Sequence, residues 1–161
     1  MDKFFTFLFL SSLFLTSLNA EIVKNVKING NKRVSSETIK LYGDIELNKD
    51  YSSRDLDLIL KNLYETNFFE NVDVSLANSV LTINLKEYPI INQLIILGES
   101  NKRYKDQIRK TIQLKEKRSF IKSYLIKDIE RIKSLYSSIG FNNASVETKI
   151  KKIDENNFDV L

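Results

Sequence analysis

The stretch Leu63-Tyr64-Glu65-Thr66-Asn67-Phe68-Phe69-Glu70-Asn71-Val72-Asp73-Val74-Ser75-Leu76 changes its hydrophobic period once, and that change decides the fold. Behind it, Leu56, Ile59, Leu60 and Leu63 recur at i, i+3, i+4 and i+7, the apolar stripe of a helix. Ahead of it, Val72, Val74 and Leu76 alternate with Asp73 and Ser75, the period of a strand with one buried face. Between them stands Thr66-Asn67. Asn is second only to Gly at the left-handed position that closes a helix, so the segment reads helix, tight stop, strand.

Working outward, Ser52-Ser53-Arg54-Asp55 resembles a capping box, with Asp where Glu is usual, and starts that helix. Ala77-Asn78-Ser79 reads as a turn. Leu81, Ile83 and Leu85 then alternate with Thr82, Asn84 and Lys86, which completes a hairpin. Upstream, Ile22 to Ile28 alternates imperfectly and predicts a strand with Ile22, Val26 and Ile28 on one face. Asn29-Gly30-Asn31 is a turn, because Gly and Asn tolerate positive φ. Ser35 or Ser36 caps a short helix through about Leu41. The order is strand, helix, helix, strand, strand.

Pro89 marks a boundary, after which the order restarts. Ile91 to Leu97 predicts a strand, followed by Gly98 and Asn101. One helix carries Tyr104, Ile108 and Ile112 on a face, and a longer one carries Leu125, Ile129, Ile132 and Tyr136. Gly140 closes the second. Ala144 to Ile150 predicts a strand with Val146, Thr148 and Ile150 on one face. Asp154 to Asn157 is a turn, and Phe158 to Leu161 begins a last strand that the chain leaves unfinished. Leu63-Tyr64 matches Leu135-Tyr136, Phe69 matches Phe141, Asn71 matches Asn143 and Val74 matches Val146, all at one offset, while Gly30 matches Gly98 at a slightly shorter one. A repeat of that length suggests tandem domains rather than a solenoid. The fold class is therefore α+β, two tandem β-α-α-β-β units, each with two helices on one face of a three-stranded sheet. The expected division is 1–20 as a leader, 21–88 and 89–161.

The leader reading rests on Met1-Asp2-Lys3, an uncharged run from Phe4 to Leu18 rich in Phe and Leu, and the small residue Ala20. That is the layout of a cleavable secretory signal peptide, and its apolar run is short for a span needing about 20 residues. Cleavage leaves the net charge of +4 unchanged, because Asp2 and Lys3 cancel. The chain contains neither Cys nor His. Disulfides, thiol nucleophiles, thiolate metal sites, Ser-His triads and imidazole ligands are thereby excluded. Lys and Asp/Glu are interspersed, as in Lys115-Glu116-Lys117, so the basic balance reads as a solvated surface rather than a nucleic-acid patch. Lys102-Arg103 and Lys115 to Arg118 offer contacts to anionic lipid heads or an acidic partner, against a merely solvated face. Asp55 and Asp57 diverge on a helix and make no carboxylate pair.

Three runs together carry a family resemblance: Gly30-Asn31-x-Arg33-Val34-Ser35, Leu63-Tyr64-x-Thr66-x-Phe68-Phe69-x-x-Val72 and Leu85-Lys86-Glu87-Tyr88-Pro89. They resemble a POTRA (polypeptide-transport-associated) domain, and Gly98, Leu135-Tyr136 and Gly140-Phe141 are weaker copies in the second unit. Asn67 stands where the family usually has Gly, and accepts the same geometry. The resemblance implies the amino-terminal POTRA pair of an outer-membrane β-barrel assembly factor. Such a chain sits at the periplasmic face of the outer membrane and binds unfolded outer-membrane proteins and accessory subunits. Further POTRA domains and a carboxy-terminal barrel in the membrane would lie outside this chain, which then reads as a fragment or a truncated reading frame. An alternative is the POTRA region of a two-partner-type secretion pore exporting a dedicated substrate. A cell-division protein with a retained anchor is a further one, disfavoured by the repeat. No cofactor, metal, catalytic residue, nucleic acid or small-molecule substrate is implied.

Gly30, Asn31, Leu63, Tyr64, Phe68, Phe69, Pro89, Gly98, Tyr136, Gly140 and Phe141 read as scaffold, and Arg33 as either a cap for backbone carbonyls or a contact for a neighbour. The functional element in such domains is backbone: an edge strand has unpaired N–H and C=O groups that an extended segment can join. The resemblance places such edges at Val72, Asp73, Val74, Ser75 and Leu76, and at Ala144, Ser145, Val146, Glu147, Thr148 and Lys149. Asp73 and Lys149 are the charges able to block them.

Overall fold

The computed structural model describes residues 20–161; the expected leader, residues 1–20, lies outside the described residues except for Ala20. Two three-stranded sheets follow one another along the chain, each with its own hydrophobic cluster.

In the first unit, β1 (Glu21–Ile22) pairs with β3 (Asp50–Tyr51), and β2 (Asn25–Asn29) runs parallel to β5 (Val80–Glu87). β4 (Phe69–Ala77) pairs antiparallel with β5, giving the order β2-β5-β4. The expected strand from Ile22 to Ile28 is thus broken, with Ile22 46% exposed and Val23 fully buried. The cause is a change of partner. Val23 exchanges backbone bonds with Lys49 and Asn48, while Lys24 and Asn25 both donate to the Ser79 carbonyl. The period slips where the partner switches.

Helix α1 (Ser36–Gly43) starts at Ser35, whose hydroxyl accepts from the Thr38 N–H at 3.2 Å. Helix α2 (Ser53–Glu65) starts at Ser52, whose N–H and hydroxyl both donate to one Asp55 carboxylate oxygen at 2.8 and 2.6 Å. It ends as expected, with Asn67 at φ 58°. The Thr66 hydroxyl donates to the Leu63 carbonyl at 2.6 Å and accepts from the Phe68 N–H at 3.1 Å, which turns the chain directly into β4. Ile39, Ile59, Leu63, Phe69, Val72, Leu81 and Ile83 fill the core between helices and sheet.

The second unit repeats the plan. β6 (Ile90–Leu94) is parallel to β8 (Asn157–Val160), which pairs antiparallel with β7 (Ile150–Lys152). Helix α3 (Lys102–Thr111) and the loop after it bury Ile108, Ile112 and Leu114 against Ile91, Leu94 and Val160, and α4 (Lys122–Ser138) packs Leu125 and Ile132 against the same cluster. β6 stops before Leu97, which is 68% exposed. The expected strand from Ala144 is also corrected. Residues 144–149 belong to no strand, and the hairpin strand starts at Ile150. Antiparallel register explains it: Ile150 opposes Val160, Lys149 and Leu161 bond to each other, and residues before Lys149 have no opposing residue within 20–161.

Candidate functional site: an open sheet edge

β4 is an edge strand, as the resemblance implied, and the geometry of its hairpin fixes which of its backbone groups face outward. Asn78 and Ser79 both take positive φ, 53° and 61°, the signature of a two-residue turn whose twist matches the strands. Ala77 and Val80 close that turn as a bonded pair. Bonded and non-bonded pairs then alternate. Ser75 and Asp73 bond to β5, while Leu76, Val74 and Val72 turn their N–H and C=O groups away from it.

At Val72 the outward N–H is taken: it donates to the Tyr64 hydroxyl at 3.1 Å. A register shift at Glu70 further interrupts the start of the strand, and such bulges blunt edges. What stays open is Val74 and Leu76, whose outward groups receive no backbone bond from elsewhere in the described chain. Their side chains point toward the core yet are only partly buried, leaving an apolar strip beside the open groups.

Asp73 lies on the solvent face of the sheet, where the Asn84 side chain donates to it at 3.1 Å and Asn29 donates to Asn84 at 2.8 Å. The three side chains tie β2, β5 and β4 together across that face.

The turn after β2 is locked to the end of β5. The N–H groups of Lys32, Arg33 and Val34 converge on the Glu87 carboxylate at 2.8, 3.0 and 3.1 Å. The Arg33 guanidinium adds an ion pair to Glu87 at 3.0 Å and donates to the Tyr88 carbonyl at 3.0 Å. Arg33 therefore both caps a carbonyl and pairs with a buried acid. Burial alone would raise the Glu87 carboxyl, but the three backbone donors and the Arg33 charge outweigh it and hold the group below its ordinary value. Gly30 permits the approach: a Cβ there would lie 2.0 Å from the Leu85 carbonyl oxygen. Gly98, its counterpart, has open space around it.

In the second unit Ala144, Ser145, Val146, Glu147 and Thr148 line a cavity of ≈ 390 Å³ with Ile96, Ile132 and Tyr136. Lys149 alone of the expected group is bonded at the sheet, to Leu161. The opposite edge of this sheet is covered, because Ile91 exchanges backbone bonds with Lys117 and Arg118. Tyr136 departs from its counterpart Tyr64. Its hydroxyl donates to Glu99, and its ring packs edge-on against Tyr104 and Phe141. Burial, then the bond to Glu99, push the Tyr136 hydroxyl up to about 12.

Sequence reasoning missed Asp128. It is 3% exposed and accepts from the Gln113 and Leu114 N–H groups, both at 2.8 Å, and from Arg131 at 2.8 Å. It pins the loop between α3 and α4. Its place at i+3 from Leu125, inside the apolar stripe, was the available signal. The described residues hold no cluster of acidic side chains suited to a metal, and no described helix is long and apolar enough to cross a membrane.

The POTRA family model, described as surface antigen variable number repeat, matches residues 89–161. Those residues are similar to the POTRA family. The match falls on the unit with the weaker motif copies, while the POTRA-like first unit has the same strand and helix order. The chain is 31% identical over 150 residues to the outer membrane protein assembly factor BamA of Neorickettsia risticii (strain Illinois), covering 92% of this chain and 20% of that protein. It is 26% identical over 141 residues to the factor of the same name from Neisseria meningitidis serogroup B (strain ATCC BAA-335 / MC58), covering 86% and 18%. The chain thus spans about a fifth of the length of these relatives. In fold it is similar to the N-terminal domain of Omp85 from the thermophilic cyanobacterium Thermosynechococcus elongatus, with TM-score 0.57, 13% identity, and coverage of 88% of this chain and 62% of that one.

Proposed function

We propose that this chain is the amino-terminal, periplasmic portion of an outer-membrane β-barrel assembly factor. In this reading two POTRA domains, 21–88 and 89–161, act as a binding scaffold with no chemical step of their own. They hold unfolded outer-membrane proteins by strand addition and dock accessory subunits, and a barrel elsewhere in the protein performs insertion. The likeness to the assembly factors supports the setting. The observation that carries the mechanism is the open backbone of Val74 and Leu76 on β4.

Backbone pairing suits such clients. Main-chain bonds give affinity without demanding a sequence, and the half-buried Val74 and Leu76 side chains favour a segment with alternating apolar residues. The test is Val74→Pro. Pro removes an N–H that the β4–β5 ladder does not use, so the fold is retained. Binding of a peptide copied from an outer-membrane barrel strand should fall at least ~10-fold, the equivalent of one charge-free hydrogen bond with its register. A folded variant that binds as the parent does would contradict strand addition at β4.

A further inference from the structure

The two units share a fold and differ in the charge of their helices. α1 and α2 together carry three Lys and Arg against four Asp and Glu. α3 and α4 carry nine against three. One of those three acids, Asp128, is buried and already paired with Arg131. Arg131 is the one cation of these two helices in an ion pair among the described residues. Lys102, Arg103, Arg109, Lys110, Lys122, Lys127 and Lys133 are all exposed.

Helix stability does not explain this placement. The amino-terminal end of a helix favours acids and disfavours cations. α1 and α2 follow that rule with Glu37 and Asp55 in their first turns. α3 and α4 have no acid there and begin with Lys102-Arg103 and Lys122. Lys102, Arg103 and Lys122 stand where the local field opposes them, while Arg109 and Lys110, in the last turn of α3, stand where it favours them.

We infer that the outer face of the α3–α4 layer docks on an anionic phospholipid surface. Three features favour lipid over an acidic protein. The charge is spread over two helices rather than gathered at one pocket, which matches a sheet of headgroups. Most of it is Lys, a point charge that protein interfaces exclude in favour of Arg and aromatic residues. Ile126, 53% exposed, shares a helical face with Lys122 and Lys133, giving the charged face an apolar contact at the headgroup boundary. Glu130 and Asp106 are the remaining acids of the two helices.

Co-sedimentation with lipid vesicles tests this, using residues 21–161, which span both described hydrophobic clusters. Vesicles of phosphatidylcholine with phosphatidylglycerol should retain the protein, and pure phosphatidylcholine should not. Retention should weaken as salt rises, since exposed charges are screened over ~8 Å at physiological ionic strength. Replacing Lys102, Arg103, Lys122 and Lys127 by Gln should reduce partitioning roughly fivefold per cation removed. The same number of Lys→Gln changes at Lys24, Lys40, Lys49 and Lys61 of the first unit should matter less. Equal retention on neutral vesicles, no retention on anionic ones, or equal effects of the two variants would overturn the inference. Capture of an acidic protein by this face without vesicle binding would overturn it as well.

Discussion

The Tyr64 hydroxyl stands 3.1 Å from the Val72 N–H and accepts its hydrogen bond, so one end of an edge strand is closed by a side chain from the preceding helix. This sets the length of the open edge. Tyr64→Phe should keep the ring packing and release the Val72 N–H, at a cost of about 1 kcal/mol of stability. Amide exchange at Val72 should quicken, while Val74 and Leu76, already open, should not change. Chemical denaturation and hydrogen exchange read both effects.

Gly30 and Gly98 match each other in sequence, but only Gly30 is held against another backbone. Both have positive φ, 85° and 78°. Gly98→Ala should cost only the conformational penalty, about 1 kcal/mol. Gly30→Ala adds a collision with the Leu85 carbonyl and should cost at least ~3 kcal/mol. Denaturation midpoints of the two variants make the comparison.

Glu87 makes the first unit sensitive to acid. Its folded value lies below the ordinary 4.5, so its contribution is fully present above that pH and is lost as pH falls through the lower folded value. Glu87→Gln should cost about 1–3 kcal/mol at pH 7. The gap between variant and parent should close as the pH drops below 4.5. Urea titrations across that range test the sign as well as the size.

Asn67 links the units. Its side-chain oxygen accepts from the Tyr124 hydroxyl of α4 at 3.0 Å, across the boundary at Pro89. Asn67→Gly relieves the cost of φ 58° and removes this bond; Tyr124→Phe removes the bond alone. Both should broaden the distance distribution between spin labels at Lys61 and Lys133. Only Asn67→Gly should leave the first unit as stable or more so. The chain has no Cys, so introduced labelling sites are unique.

Local chemistry was legible in the sequence. The stripes of α2 and α4, the caps at Ser35 and Ser52, and the stop at Asn67 each depend on residues within one or two turns. The edge position of β4 came from family resemblance, since strand order is not a local property. What escaped depends on distant partners. Val23 takes the core place given to Ile22 because the chain changes neighbours there. Residues 144–149 alternate like a strand, but pairing requires an opposing backbone. Arg33 and Glu87 stand 54 residues apart in separate motifs, and only the folded chain joins them. Asp128 is buried on α4 because its donors, Gln113 and Leu114, lie in the loop before that helix, outside its own local pattern.

The most direct test of strand addition is backbone NMR of residues 21–161 during titration with a peptide from an outer-membrane barrel strand. The account predicts that the Val74 and Leu76 amides shift and gain exchange protection, while Val72, held by Tyr64, and Asp73 and Ser75, held by β5, gain little. Protection at Asp73 and Ser75 instead, or shifts confined to the helices, would contradict it.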